Sequence, residues 1–411
     1  MLLLGLLVWL PACTRTPQDN IELVLCVGVD CLRPDHMGLF GYDRDTTPKL
    51  SAARHAMWWC LASSQSNQAP AGHAGLLAGR CIPATAEPPL LGPYSLPALL
   101  RSRGFTTIAI PANQEMDRLL AQEGVFDRLL AAGTDAPLAC NQIVDRALAQ
   151  LEMREPGQKL FLWLHFSDCR PPFMGRDFRG LMEAQDTTPL PFLYDVDSYQ
   201  AAAAAIWRQA KGPESFVQSI AWYDAAVYAC DQSLGRLRDL LAQTGLANRS
   251  VTILYGANGL SLGEHDSYYS CQGLYQETLQ VPITVIGPVE SRHITGPASL
   301  ADVVPTVAKL LSLPYDSRRA MGQNLTAPQP DRLIFSCSEQ GWAARQGDDK
   351  LICLSCRENT YAFFNLAFDP AEQVNLLQRP DRLDTQCFAR LRDAGHRACS
   401  KAGCRECGKS P

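Results

Sequence analysis

The chain has 411 residues, 46% hydrophobic and 19% charged, with a formal net charge of -5. That is ordinary globular composition, enough for one large α/β domain with an appendage or for two conventional domains. Acids and bases are interspersed, so neither a basic stripe for nucleic acid nor a disordered acidic block is present, and no nucleic-acid partner is expected.

Met1 to Leu10 is almost wholly apolar but too short to span a bilayer, and reads as the core of an export signal. It runs into Leu10-Pro11-Ala12-Cys13, which looks like a bacterial lipobox. Residues 1–13 are therefore expected to be a signal and lipobox segment. Cys13 would be the lipidated residue, giving an exported envelope lipoprotein on the periplasmic side of a bacterial membrane. The competing reading is a first buried strand or helix. The sixteen cysteines suit an oxidising compartment. Cys26, Cys60 and Cys230 sit in apolar runs, where a small buried thiol is the plain explanation. For Cys353, Cys356, Cys399, Cys404 and Cys407, disulfides are favoured over a four-thiolate zinc site built from Cys353, Cys356, Cys404 and Cys407.

In chain order, Glu22–Asp30 is an apolar run ending in an acid, the pattern of a buried parallel strand with a functional carboxyl end. Ser95–Arg103 is helical and is closed by Gly104, and Phe105–Ile110 is the next strand. A helix over Gln142–Glu152 precedes a strand over Leu160–His165. A long helix runs from about Phe216 to Thr244 and stops at Gly245. Strands follow at Val251–Leu254 and Val281–Ile286, then a helix at Asp302–Leu311. This alternation implies a mostly parallel sheet sandwiched by helices, with ligands at the carboxyl ends of the strands. After Pro328 the texture changes. Short strands are expected at Arg332–Cys337, Lys350–Leu354 and Tyr361–Asn365, with a terminal helix at Phe388–Arg397. The expected organisation is an α/β domain over 20–328, a small C-terminal α+β subdomain over 329–398 and a Cys-rich tail over 399–411. The excursion from about Gly175 to Glu214, with Trp207, reads equally as a cap on the site or as a solvated surface loop.

Motifs recur in order along this frame. Val29-Asp30-Cys31-Leu32-Arg33-Pro34-Asp35-His36, Gly41-Tyr42 and Thr46-Thr47-Pro48-Lys49-Leu50 resemble the opening of the sulfatase family, within the alkaline-phosphatase-like superfamily. Ala74–Arg80, Leu162–Phe173, Ile253–His265, Leu274–Pro282, Ser299–Pro314 and Phe363–Leu376 resemble its later landmarks. The resemblance implies a metal-assisted ester hydrolase fold. There a divalent cation held by carboxylates activates a formylglycine, Ser or Thr nucleophile, while cationic and imidazole groups hold the anion and protonate the leaving oxygen.

Carried over residue by residue, the resemblance implies Asp30 as a metal ligand, with Cys31 where the second aspartate stands. Ala69 falls at the nucleophile position, or Gln68 in the alternative register, and neither is a nucleophile. His73 lies where the family carries arginine or histidine; the alternative is a helix-start histidine bonded to backbone. In the central loop His165 and Asp168 are kept, Cys169 replaces proline and Arg170 replaces a histidine. Arginine holds an anion but is a poor general acid. At the second metal loop Ala257 removes a charged ligand, Asn258 is a weak candidate ligand, and Glu264 and His265 shape the loop. Ser270 or Cys271 stands where a Lys or His is usual.

The catalytic candidates are thus His73, His165 and Arg170, and the anion-binding candidates are Arg33, His73 and Arg170. The metal candidates are Asp30 and Asn258. The expected function is a catalytically impaired pseudo-sulfatase that binds an anionic small molecule, a saccharide ester or a partner. The alternative is an active hydrolase of sulfuric or phosphoric esters using a calcium or zinc ion and a hydroxyl from Ser63, Ser64 or Ser66. A purely structural envelope protein is the third reading.

Overall fold

The structure, a computed structural model, describes residues 20–83, 91–124, 126–133, 136–174, 178, 213–316, 321–327, 330–339 and 341–403. Cys13 and the lipobox, Trp207 with most of the 175–214 excursion, and Cys404 and Cys407 lie outside the described residues.

The strands are β1 (Leu23–Val29), β2 (Met57–Ser63), β3 (Phe105–Ile110), β4 (Arg128–Leu129), β5 (Lys159–Phe166), β6 (Ser250–Gly256), β7 (Ser261–Leu262), β8 (Tyr268–Ser270), β9 (Gln280–Ile286), β10 (Arg292–His293), β11 (Leu333–Cys337), β12 (Trp342–Gln346), β13 (Asp349–Ser355) and β14 (Thr360–Asn365). The helices are α1 (Pro48–Ala52), α2 (Ala69–Ala78), α3 (Leu96–Arg101), α4 (Gln114–Glu123), α5 (Cys140–Glu152), α6 (Pro213–Gln243), α7 (Gln276–Leu279), α8 (Val303–Leu310) and α9 (Thr385–Ala402).

The large sheet runs β10-β2-β9-β6-β1-β5-β3-β4. β1 is fully buried and pairs in parallel with β5 on one side and β6 on the other. Its side chains alternate between two cores, as the period of two requires. Leu23, Leu25, Val27 and Val29 pack under α1, α5 and α6. Val24 and Cys26 face the layer built by α2, α3, α4 and α8. This is the helix-covered parallel sheet that the alternation of elements implies.

β9 is the exception, lying antiparallel between β2 and β6. The chain returns from β6 through the β7–β8 hairpin and the single turn of α7 rather than through a covering helix, and a parallel return needs such a crossover. β2 and β12 were not anticipated. β2 is only partly buried, although Met57–Ala62 is a continuous apolar run.

The second, antiparallel sheet runs β11-β12-β13-β14, and α9 packs on it. α9 continues through Ala402, so the expected tail does not begin at 399: Cys399 is a buried helix residue. Cys356 is disulfide-bonded, whereas Cys353 is not, which rules out the four-thiolate arrangement among these cysteines.

Candidate active site

The register of the central strands sets the site. Val29 stands level with Phe166 of β5 and with Gly256 of β6, so Asp30, Ser167 and Ala257 emerge side by side at one edge. The ladder continues for one more step there: Asp30 N–H donates to the Phe166 carbonyl at 3.0 Å, and Ala257 N–H to the Val29 carbonyl at 2.8 Å. Cys31 then takes a left-handed conformation, φ 57°, which turns the chain away from the sheet.

One row below, Gly28 is flanked by His165 on β5 and Tyr255 on β6. The missing side chain makes room for an imidazole from α2. A Cβ at Gly28 would lie 2.5 Å from Tyr255 Oη and 2.6 Å from His73 Cε1. His73 is fully buried in that gap, edge-on to Trp163, His165 and Tyr255.

Asp30 is the centre of the cluster. His73 Nε2 is 2.8 Å from its Oδ1, His165 Nε2 is 3.1 Å from the same oxygen, and Arg170 Nη1 is 3.5 Å from Oδ2. Arg170 also reaches Glu115 of α4 at 3.1 Å and is a quarter exposed at the mouth. Burial alone would raise the Asp30 carboxyl, but His165 and His73 together hold it well below the usual range. Burial pushes the His73 imidazole below its ordinary value, against the pull of Asp30.

The proton positions follow from the outer partners. Ala112 N–H donates to His165 Nδ1 at 3.2 Å, and a backbone amide has no other role available. Nδ1 of His165 therefore carries no proton, and its ring N–H is Nε2, which lies 3.1 Å from Asp30 Oδ1 without the angle of a hydrogen bond. Trp163 Nε1–H donates to Tyr255 Oη at 3.1 Å, Oη lies 2.8 Å from His73 Nδ1, and the Asp30 carboxylate can only accept at 2.8 Å from His73 Nε2. His73 therefore presents Nε2–H to the carboxylate.

This bears on the cation that the fold family implies. Asp30, His73 and His165 place one ligand atom each within 4.8 Å of one another, a nitrogen-rich set that would suit zinc better than calcium. A metal-bound imidazole instead offers a bare nitrogen to the ion and donates from its other nitrogen. The outer partners of both rings hold the opposite arrangement here, and by the resemblance Cys31 and Ala257 stand where two further carboxylates would be expected beside Asp30. The residues present do not fit a resident cation.

The remaining candidates sit elsewhere. Arg33 is bound by Asp35 at 2.6 Å, Glu264 at 2.8 Å and the Leu260 carbonyl at 2.8 Å, a bracket rather than a group offered to an anion at Asp30. Asn258 Oδ1 accepts from Cys31 N–H at 3.1 Å, and its amide donates to the Asn67 and Gly259 carbonyls. It braces the loop. Cys31 and Cys271 meet at 3.7 Å beside it, and the Asn258 amide reaches Cys271 Sγ at 3.1 Å, so the three form a thiol and amide cluster. Glu264 accepts from Leu262 N–H, and His265 links Glu277 to the Glu372 carbonyl, as expected of residues that shape the loop.

Ala69 is the first residue of α2 and is buried, while the exposed Gln68 is its cap. His73 bonds to side chains, not to backbone. Ser64 Oγ is tied to the Ala257 carbonyl at 2.6 Å, and Ser66 Oγ accepts from Gln68 N–H at 3.2 Å. Ser63 lies within β2, paired with Gln280. Glu115, Trp163 and Tyr255 were missed. The period of two puts Trp163 on the face of β5 that carries His165, which is the signal that would have found it.

The family model described as Sulfatase matches residues 22–313. Arylsulfatase K of Danio rerio is 31% identical over 96 residues, covering 23% of this chain and 18% of that protein. The matching stretches span less than a third of the length of the curated relatives. A protein solved with its substrate D-glucosamine-2-N,6-O-disulfate superposes with a TM-score of 0.75 at 15% identity, covering 95% of this chain and 100% of that one. The phosphonate monoester hydrolase of Agrobacterium radiobacter gives 0.65 at 14%, covering 92% and 95%. The ordered motifs, the sheet that carries them and a family match over residues 22–313 lead to one conclusion: the chain belongs to the sulfatase family.

Proposed function

We propose that this sulfatase-family chain binds an anionic saccharide ester at the Asp30 edge and does not hydrolyse it. The observation that carries the reading is the Ala112 N–H donated to His165 Nδ1, which leaves the imidazole proton on Nε2, the nitrogen beside Asp30 that would have to be bare to hold a cation. Asp30 is held by the His73 ring N–H and the Arg170 guanidinium, with the His165 ring 3.1 Å from Oδ1. Ala69 leaves the helix start with nothing to attack sulfur or phosphorus. Loss of a covalent nucleophile costs roughly six decades in rate.

Arg170 is permanently charged and partly exposed, so it is the group that meets an anion. A saccharide ester is favoured because a structural neighbour was solved with a sulfated glucosamine. Attachment to a bacterial envelope through Cys13 remains part of the reading; radiolabelled palmitate that fails to enter the wild type, or still enters Cys13→Ala, would count against it.

The test uses D-glucosamine 6-sulfate with the purified chain, following binding by calorimetry and released sulfate by ion chromatography. Binding without sulfate release is expected, weakened at least about tenfold in Arg170→Met, the loss expected for a charge-assisted contact. Sulfate release above background that Asp30→Ala abolishes would overturn the reading, as would the absence of any binding.

A further inference from the structure

Below the Asp30 edge, on the sheet face covered by α5 and α6, lies a second polar cluster that the family chemistry does not use. Cys140 opens α5, Cys230 lies on α6, and Asp168 and Cys169 follow β5. All four are buried, Asp168 to 1% exposure. The Cys140 and Cys230 sulfurs and an Asp168 oxygen lie within 4.8 Å of one another. Cys169 is in hydrogen-bond contact with Cys230, and none of the three thiols is in a disulfide.

Plain packing explains buried thiols, but it does not explain the acid among them. Asp168 Oδ1 accepts from Cys140 N–H at 3.0 Å, while Oδ2 meets no hydrogen-bond donor among the described residues. A buried carboxylate oxygen without a partner is costly. Soft sulfur combined with one carboxylate selects a thiophilic, tetrahedral cation over calcium or magnesium. Bonds of about 2.3 Å in a tetrahedron put ligand atoms about 3.8 Å apart, so a set already within 4.8 Å closes by small side-chain rotations.

We propose that Cys140, Cys230 and Asp168, with Cys169 adjacent as the fourth donor, form a buried structural site for a thiophilic divalent cation of the zinc type. Each thiol that ligates gives its proton to solvent, and the ion takes the electron pair of the resulting thiolate. The bound ion ties α5 and α6 to the loop that follows β5. That loop carries Arg170 two residues beyond Asp168, so the site fixes the position of the anion-facing guanidinium.

The test measures metal content by mass spectrometry, and cobalt substitution by absorption, on the purified full chain and on Cys230→Ser, Asp168→Asn and Asp30→Ala. About one equivalent of zinc is expected in the wild type and in Asp30→Ala, with at least about a tenfold loss in Cys230→Ser. Cobalt should give thiolate charge-transfer absorption that disappears in Cys230→Ser. Asp168→Asn keeps the volume and every thiol, so its loss of metal supports the site even where the cysteine variant folds poorly. Zinc absent from the wild type, or an intact mass showing a Cys140–Cys230 disulfide, overturns the inference alone. A cation lost in Asp30→Ala but kept in Cys230→Ser overturns both this inference and the proposed function.

Discussion

His73 reaches Asp30 from a ring that burial holds neutral, so acid acts on this pair in one direction. The Asp30 carboxyl is depressed in the fold, and its stabilising contribution is present above the ordinary value of 3.8 and lost as pH falls through the lower folded value. His73 is also depressed, so the unfolded chain binds a proton near 6.5 that the folded chain refuses, and stability falls as pH drops below that value. The first loss on acidification from pH 8 therefore belongs to His73. In His73→Gln the urea unfolding free energy should be lower than wild type at pH 8, and its slope between about pH 6.5 and 5 should be flatter. An unchanged slope would mean that His73 binds its proton alike in the folded and unfolded chains. At this scale Asp30, His73, His165 and Arg170 were legible because motif spacing names positions. Arg33 and Asn258 were misread because spacing does not say which neighbours a side chain reaches first: Asp35 and Glu264 take one, and the Cys31 amide takes the other.

Among the elements, β1 and α2 meet through absent side chains. Gly28 admits His73 and Tyr255, and a Cβ at Gly72 would stand 2.1 Å from the Ala257 carbonyl. Gly28→Ala adds one methyl at the centre of a fully buried strand, against a ring wedged between β5 and β6. Overpacking of this kind costs about 1–3 kcal/mol and more where neighbours are fixed. His73 and Tyr255 are fixed by hydrogen bonds, so the denaturation midpoint should drop by at least about 3 kcal/mol in free-energy terms. A loss below about 1 kcal/mol would show that the helix can retreat. The sheet itself was legible as β1, β3, β5, β6 and β9, since continuous apolar runs mark buried strands. The antiparallel sense of β9 was not, because a fully buried strand reads the same in either direction.

For the whole molecule, the question is what holds the C-terminal sheet against the large one. Arg332 pairs with Asp302 at the base of the connection, the Cys81 and Cys337 thiols meet at 2.8 Å, and Lys350 reaches across to α7. Lys350 and Glu372 form an ion pair at 2.8 Å with side chains 2% and 0% exposed, and Glu372 also accepts from Gln276 N–H. Sequence could suggest two subdomains from the change of texture after Pro328, but not this buried pair, whose members lie on different strands and loops. Such a pair contributes little against an apolar replacement, while removal of one partner leaves the other charge buried and alone. Lys350→Met should therefore cost about 3–5 kcal/mol, and the double variant with Glu372→Gln should recover most of it. Because Gln276 opens α7, which leads into β9, the single variant should loosen the contact between the sheets before either sheet melts. Limited proteolysis should then cut the connection between residues 311 and 332 faster in Lys350→Met, while the double variant is cut at the wild-type rate. Equal rates in all three would place the docking energy in the Arg332–Asp302 and Cys81–Cys337 contacts instead.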